Sequence, residues 1–453
     1  MRWSLGFIAW LLLAGPTFAQ DETYQGKTVK QWTAALKHSD PRVRFQALAA
    51  LSEAGADAEP AAVEVARLLK DPVVAVRRAA VQVLSGLPDV GGVPATIGLA
   101  LRDMDSAVRN LAAKGLTEMG DKGQAVLIDA MSDKDGTVRL LALNALDSMD
   151  STKETIKAIG QAVSDASPAV RKRALFLLAQ RVADDPEARP FVAQALRDKD
   201  QKFRTLAAQA LVSAGAEVAA DLVKAAKEGD AATRLIALQA LGALGEELPD
   251  EGVTALVRGL EDMDAKVRQA AAAGIGHLKT KAREVVGPGL FKDLVKLAAD
   301  KEATVRRAAV FAMGNVGVAD ADEVGKIADA LKDKDTFVRG FAVMSLGNCV
   351  NEDAPEQIAT AALTKLGSAL ADTDRRVQAM AAQILAREEA RCVPVLIPLV
   401  EKGNGKQRLW AASILGEIGA AASDAVPALE KMAKDGNPQV RQAAMAALHK
   451  IRD

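Results

Sequence analysis

Apolar and polar positions along the chain return in one pattern thirteen times, most easily registered on an arginine: Arg44, Arg77, Arg109, Arg139, Arg171, Arg204, Arg234, Arg268, Arg306, Arg339, Gln378, Arg408 and Arg441, 30 to 39 residues apart. Numbering the repeats 1 to 13 from these anchors, alanine stands three places after the anchor in all thirteen, and an apolar residue seven places after it. Twelve places before it every repeat is apolar too, as at Trp32, Val65, Ile97, Leu256 and Leu429. At 100° per residue, the positions one before and three, four, six and seven after the anchor share one helical face. Each repeat is therefore expected to be a helix, a short turn and a second helix, and a period of this size predicts a stacked array rather than a single closed core.

The turns carry matching punctuation. Four places before the anchor lies Asp, Ser or Asn in eleven repeats, including Asp105, Asp135, Ser167, Asp200 and Asn437. These are the residues whose short oxygens accept from exposed N–H groups at a helix start. Pro41, Pro168 and Pro438 follow their caps directly, where a missing N–H costs nothing. Gly55, Gly120, Gly215, Gly245, Gly317 and Gly419 all fall eleven places after the anchor, the expected stop of the second helix.

The anchor arginine falls inside the apolar face, so it is expected to point inward, its stem packed and its guanidinium reaching an adjacent turn. Six places before the anchor a second aspartate recurs, at Asp71, Asp103, Asp133, Asp198, Asp262 and Asp333. The planar fork of arginine suits a carboxylate or turn carbonyls in a way lysine does not. A residue copied along a line reads as structural, so Arg77, Arg109, Arg139, Arg204, Arg268, Arg306 and Arg339 are expected to brace the array.

Composition changes the picture in two ways. The charged residues nearly cancel to a net −1 and aromatics are only 3%, which offers no global attraction for nucleic acid or an anionic membrane surface. Residues 1–19 hold Arg2, an apolar run from Trp3 to Ala14, Gly15-Pro16, and Thr17 and Ala19 near the end. That layout predicts a cleaved secretory signal, being shorter than the ~20 apolar residues of a membrane span. Export to a periplasmic or extracellular location follows as an expectation, with no membrane span after cleavage. Residues 20–27, with the sole tyrosine Tyr24, are expected to cap the first repeat, and 28–453 to form the array.

The units "DSAVRNLAAKGL", "ATVRRAAVFAM" and "NPQVRQAAMAAL" resemble HEAT repeats, specifically the short bacterial variety known from phycobilisome-lyase-type proteins, over about residues 28 to 452. The resemblance implies an all-α, right-handed α-solenoid with second helices on the concave side and an Asp/Arg ladder between successive repeats. Gln378 and Gly403-Asn404-Gly405 depart from the pattern and put the ladder in doubt there.

Catalysis is poorly supplied. His38, His277 and His449 lie in distant repeats, and none is followed by the glutamate that the di-iron HEAT hydroxylases use; Ser39, Leu278 and Lys450 stand there instead. The Asp pairs lack the glycine and glutamate of a calcium loop. Cys349 and Cys392 belong to repeats 10 and 12, too far apart for the ~7 Å reach of a disulfide. No cofactor, metal or enzymatic activity is expected, the alternative being an enzyme or enzyme-accessory protein of the HEAT-like lyase type. Positions one and five after the anchor should line the concavity. They include no acidic residue, four basic ones (Arg78, Lys114, Lys172 and Arg307), and seven sizeable apolar ones: Phe45, Leu140, Phe176, Leu235, Phe311, Met344 and Leu409. Such a face suits a protein or peptide ligand, with Phe176 and Phe311 as first anchors; the plain alternative is packing against neighbouring second helices. The long spacings around 276–290 and 347–357 predict enlarged loops.

Overall fold

The computed structural model describes residues 22–87, 92–351 and 353–453. The expected signal segment, 1–19, lies outside the described residues, as does the start of the capping segment. The chain is all-α in fold class, an α-solenoid whose only strands among the described residues are a two-residue pair at the start. It divides into two compact blocks, up to Leu177 and from Leu178 onwards, with the division inside the second helix of repeat 5.

In each block the second helices pack on one another in one layer and the first helices in another. Every repeat has its second helix, from Pro41–Ala54 in repeat 1 to Pro438–Arg452 in repeat 13. The caps act as their residue types dictate: Asp40, Asp105, Asp135, Asp200, Asp264, Asp335, Asp374 and Asn437 each accept from a backbone N–H two or three places on. The stops behave likewise, with the six glycines eleven places after the anchor at φ between 52° and 84°. Lys279 and Glu389 occupy the same place in repeats 8 and 11 and are held at φ 52° and 43°.

The layer of second helices is drawn together by small residues. The alanine three places after each anchor is fully buried in all thirteen repeats. A tighter seam, unexpected from the sequence, joins the position eight after one anchor to the position six after the next. A Cβ on Gly242 would stand 2.5 Å from the Gly274 Cα, one on Gly314 2.6 Å from the Ser345 Cα, and one on Gly416 3.0 Å from the Ala447 Cα. Backbones this close leave room for nothing larger than hydrogen at Gly242, Gly314 and Gly416.

Two local features differ from expectation. Residues 23–28 are a β-hairpin, Thr23–Tyr24 against Lys27–Thr28, turned by Gln25 and Gly26 at φ 48° and 79°. Two successive positive φ values match the twist of a two-residue hairpin loop. The hairpin lies on the first helix of repeat 1 (Val29–Ala35): Trp32 Nε1 donates to the Tyr24 carbonyl at 2.6 Å, Lys27 Nζ sits 4.4 Å from the Trp32 ring centre, and the Tyr24 hydroxyl donates to Asp57 at 2.5 Å. The enlarged segment 276–290 is not a simple loop, because Thr280–Val286 forms an extra helix. Ala282 is fully buried and Arg283 donates to the Gly317 carbonyl and forks onto Glu323 at 2.8 and 2.9 Å, which compensates for a sequence with little apolar stripe.

Candidate functional site

The anchor arginines lie between consecutive turns of the stack. Arg77 shows the arrangement: its Nη1 donates to the carbonyl of Asp71 in its own turn, while Nε and Nη2 fork onto the carboxylate of Asp103 in the next turn at 2.7 and 2.9 Å. Asp103 Oδ1 also accepts from the Asp105 N–H, so one carboxylate joins the preceding repeat to the bend of its own. The same pairing joins Arg44 to Asp71, Arg139 to Asp165, Arg234 to Asp262, Arg268 to Asp300, Arg306 to Asp333 and Arg339 to Asp372, while Arg408 reaches Asp435 through Nη1 alone at 2.5 Å and donates Nε to the Val400 carbonyl. Asp165, Asp300, Asp372 and Asp435 stand six places before their anchors and were legible by register.

Other expected members are placed differently. Arg109 donates to the carbonyls of Asp103 and Met104, and the Asp133 carboxylate is taken by Arg102. Arg204 donates to the carbonyls of Asp198 and Lys199, and its buried Nε has no partner, because the facing position holds Glu228, which pairs with Arg197. The carboxylate of Asp198 accepts from the Asp200 N–H. Gln378 keeps only the carbonyl half of the arrangement, donating to Asp372 O while its own carbonyl accepts from Trp410 Nε1 at 3.1 Å.

These contacts leave an electrostatic signature. The fork from Arg234 is the largest influence on Asp262 and holds its carboxyl below the ordinary value. At Asp103, Asp165, Asp300 and Asp333 burial is the largest influence and opposes ionisation, yet guanidinium and turn N–H together outweigh it and these carboxyls also sit low. A carboxyl lowered by folding contributes stability that is complete above the unfolded value and lost as pH falls through the folded one. Urea midpoints are therefore expected to hold from neutral pH to about 5 and to fall steeply below the ordinary 3.8; a midpoint unchanged down to pH 3 contradicts the pairing.

The rest of the chemistry is sparse. Cys349 and Cys392 are free and buried, their thiols donating to the carbonyls of Ser345 and Glu389, and burial pushes both up to about 12. Among the described residues no three or more His, Cys, Asp or Glu side chains are grouped to hold a metal ion. No helix among them is long and apolar enough to cross a membrane.

What the arrangement does provide is a furrowed face on the second helices. Of the residues expected to line it, Phe45, Phe176 and Met344 are about half exposed, whereas Leu140, Leu235, Phe311 and Leu409 are partly buried. In the first block, Phe176 lies under the Arg173 guanidinium at 5.4 Å, itself bonded to Asn144 and Asp147. In the second block three depressions follow one another between second helices. One of 340 Å³ includes Thr205, Gln209 and Gln239; one of 500 Å³ Leu235, Gln239, Lys266 and Gln269; one of 370 Å³ Gln269, His277, Arg307 and Phe311. Positions one and five after the anchor do line them.

Phe311 is more embedded than an exposed ridge requires. Its ring meets His277 edge-on at 5.7 Å and Phe341 at 6.2 Å, and it lies so close over Gly276 that a Cβ there would be 2.5 Å from the ring. Phe337 is 58% exposed, with Arg307 and Arg376 at 5.3 and 6.0 Å from its ring centre. His277, Phe337 and Phe341 were missed because they stand nine after, two before and two after their anchors; the clustering of Phe311, Phe337 and Phe341 within thirty-one residues of an aromatic-poor chain was the available signal.

The family model for HEAT repeats matches residues 93–159, 156–242, 291–366 and 363–449. The chain belongs to the HEAT-repeat family. No match to the sequence was found among the curated proteins. Among solved structures, the HEAT-repeat chain is similar to Kap121p bound to Pho4p and to Kap121p bound to RanGTP, each with a TM-score of 0.52 and 14% identity over 93% of this chain. It spans about half the length of those Kap121p chains, 53% and 56%. At that identity the likeness concerns the fold.

Proposed function

We propose that this protein is an exported, non-enzymatic scaffold that holds a protein or peptide partner along the face of its second helices. The observation that carries the reading is the run of depressions in the second block, lined by amides, small residues and partly buried apolar side chains, with no carboxylate in any lining. Such a surface offers apolar area and hydrogen-bonding groups without a charge pattern for nucleic acid. Kap121p bound to Pho4p shows a solenoid of related fold carrying a protein partner, which supports the same use here. The composition of residues 1–19 supports export, and the short D-x-x-V-R form of the repeat supports the bacterial variety.

Crosslinking in the native envelope, followed by affinity recovery and mass spectrometry, tests the proposal on each block. Phe176→Ala and Phe311→Ala, alone and combined, are expected to lose most of the partners recovered by wild type while retaining the helical circular dichroism. An unchanged partner set from the folded double variant overturns it.

A further inference from the structure

Three cations near the face are already neutralised: Arg78 pairs with Asp105 at 2.9 Å, Lys114 with Glu118 at 3.5 Å and Arg376 with Asp374 at 2.8 Å. Arg307 and Lys266 differ. Neither has an ion-pair partner among the described residues, although each lines a depression beside apolar or amide groups. Arg307 is partly buried and held over the Phe337 ring at 5.3 Å, an arrangement that fixes the guanidinium without neutralising it. The two depressions adjoin one another on either side of one helix (Ala265–His277), since Gln269, Ala273 and His277 border both. Their apolar surface comes from Phe311, Phe341 and Leu235.

The geometry points to an acidic, leucine- or phenylalanine-bearing peptide segment as the occupant of this trough, its carboxylates on Arg307 and Lys266 and its apolar side chains beside Phe311 and Phe341. This rests on the scaffold reading and specifies its partner. A positive site without a single lining carboxylate favours anionic ligands and raises their encounter rate. Its aromatic surface adds what a bare anion would not use. A segment in extended conformation also needs partners for its main-chain N–H and C=O groups, and the amides of Gln239 and Gln269 stand along the trough. Neighbouring helices lie roughly 8–10 Å apart and an extended chain advances about 3.3 Å per residue, so successive depressions correspond to every third residue of the ligand.

The probe follows from that spacing: a fluorescent twelve-residue peptide repeating Leu-Asp-Ser, compared by anisotropy with the same peptide repeating Leu-Lys-Ser. The acidic peptide is expected to bind the full chain at least about ten-fold more tightly at low salt, and Arg307→Glu and Lys266→Glu are each expected to weaken it by about ten-fold. Both side chains lie outside the buried pairs, so the melting temperature of each variant should match wild type. Equal binding of the two peptides, or unchanged affinity in both variants, overturns the inference. Should Arg307→Glu still crosslink to every wild-type partner while Phe176→Ala/Phe311→Ala loses them, the acidic ligand fails and the scaffold reading stands; loss of the same partners from Arg307→Glu supports both.

Discussion

Arg306→Ala is expected to destabilise the second block by about 3 kcal/mol, because it strips a partly buried carboxylate of its fork and two turn carbonyls of their donor. Arg306 is 5% exposed; it holds Asp333 at 2.7 and 2.9 Å and donates to the carbonyls of Asp300 and Lys301 at 3.0 and 3.1 Å. Arg306→Lys should recover little, since one ammonium cannot span both sides of the turn. Arg204→Ala is the internal control. Arg204 has no carboxylate to abandon and its Nε is already unsatisfied, so its removal is expected to cost about 1 kcal/mol, the worth of ordinary hydrogen bonds. Urea denaturation with hydrogen exchange at the Asp333 and Asp335 amides measures the difference. Equal costs for the two substitutions would mean that packing of the arginine stem, not the fork, carries the effect.

The second large effect is set by the glycine seam. Gly242→Ala places a methyl group 2.5 Å from the Gly274 Cα, and neither backbone has a rotamer with which to yield, so a loss of about 1–3 kcal/mol is expected even though alanine favours helix by up to about 1 kcal/mol. Gly340→Ala is the same exchange in a helix where the new methyl group meets only Met380 side-chain atoms, 3.9 Å or more away. There the propensity gain is unopposed, and the variant should be as stable as wild type or more so. Thermal denaturation of the two variants decides the matter; changes of the same sign would remove the seam from the account.

Much of this architecture was legible because each repeat states it independently. A cap such as Asp105, an inward anchor such as Arg77 and a stop such as Gly215 are determined within a dozen residues, and the register between repeats then follows from the period. The features that escaped depend on neighbours. Gly242 reads as a weak helix residue until Gly274 is seen against it, and Thr280–Val286 becomes a helix through Arg283 reaching Gly317 and Glu323 from the adjoining repeat. The furrowed face was half legible for a related reason. Positions one and five after the anchor line the furrows in repeats 6 to 9, but whether Phe311 stands free or leans on His277 and Phe341 is settled by side chains from three helices. The interruption at Arg204 was visible as glutamate in place of aspartate at 228, a methylene that redirects the carboxylate to Arg197.

Each paired guanidinium takes its carboxylate from the turn that follows, 26 to 33 residues on. Excising residues 307–339 would set Arg306 where Arg339 now stands, facing Asp372 across the same interval. Removing or adding a whole module at such a joint therefore keeps the arginine and aspartate in register, and the protein's reach becomes a quantity that recombination can adjust in steps.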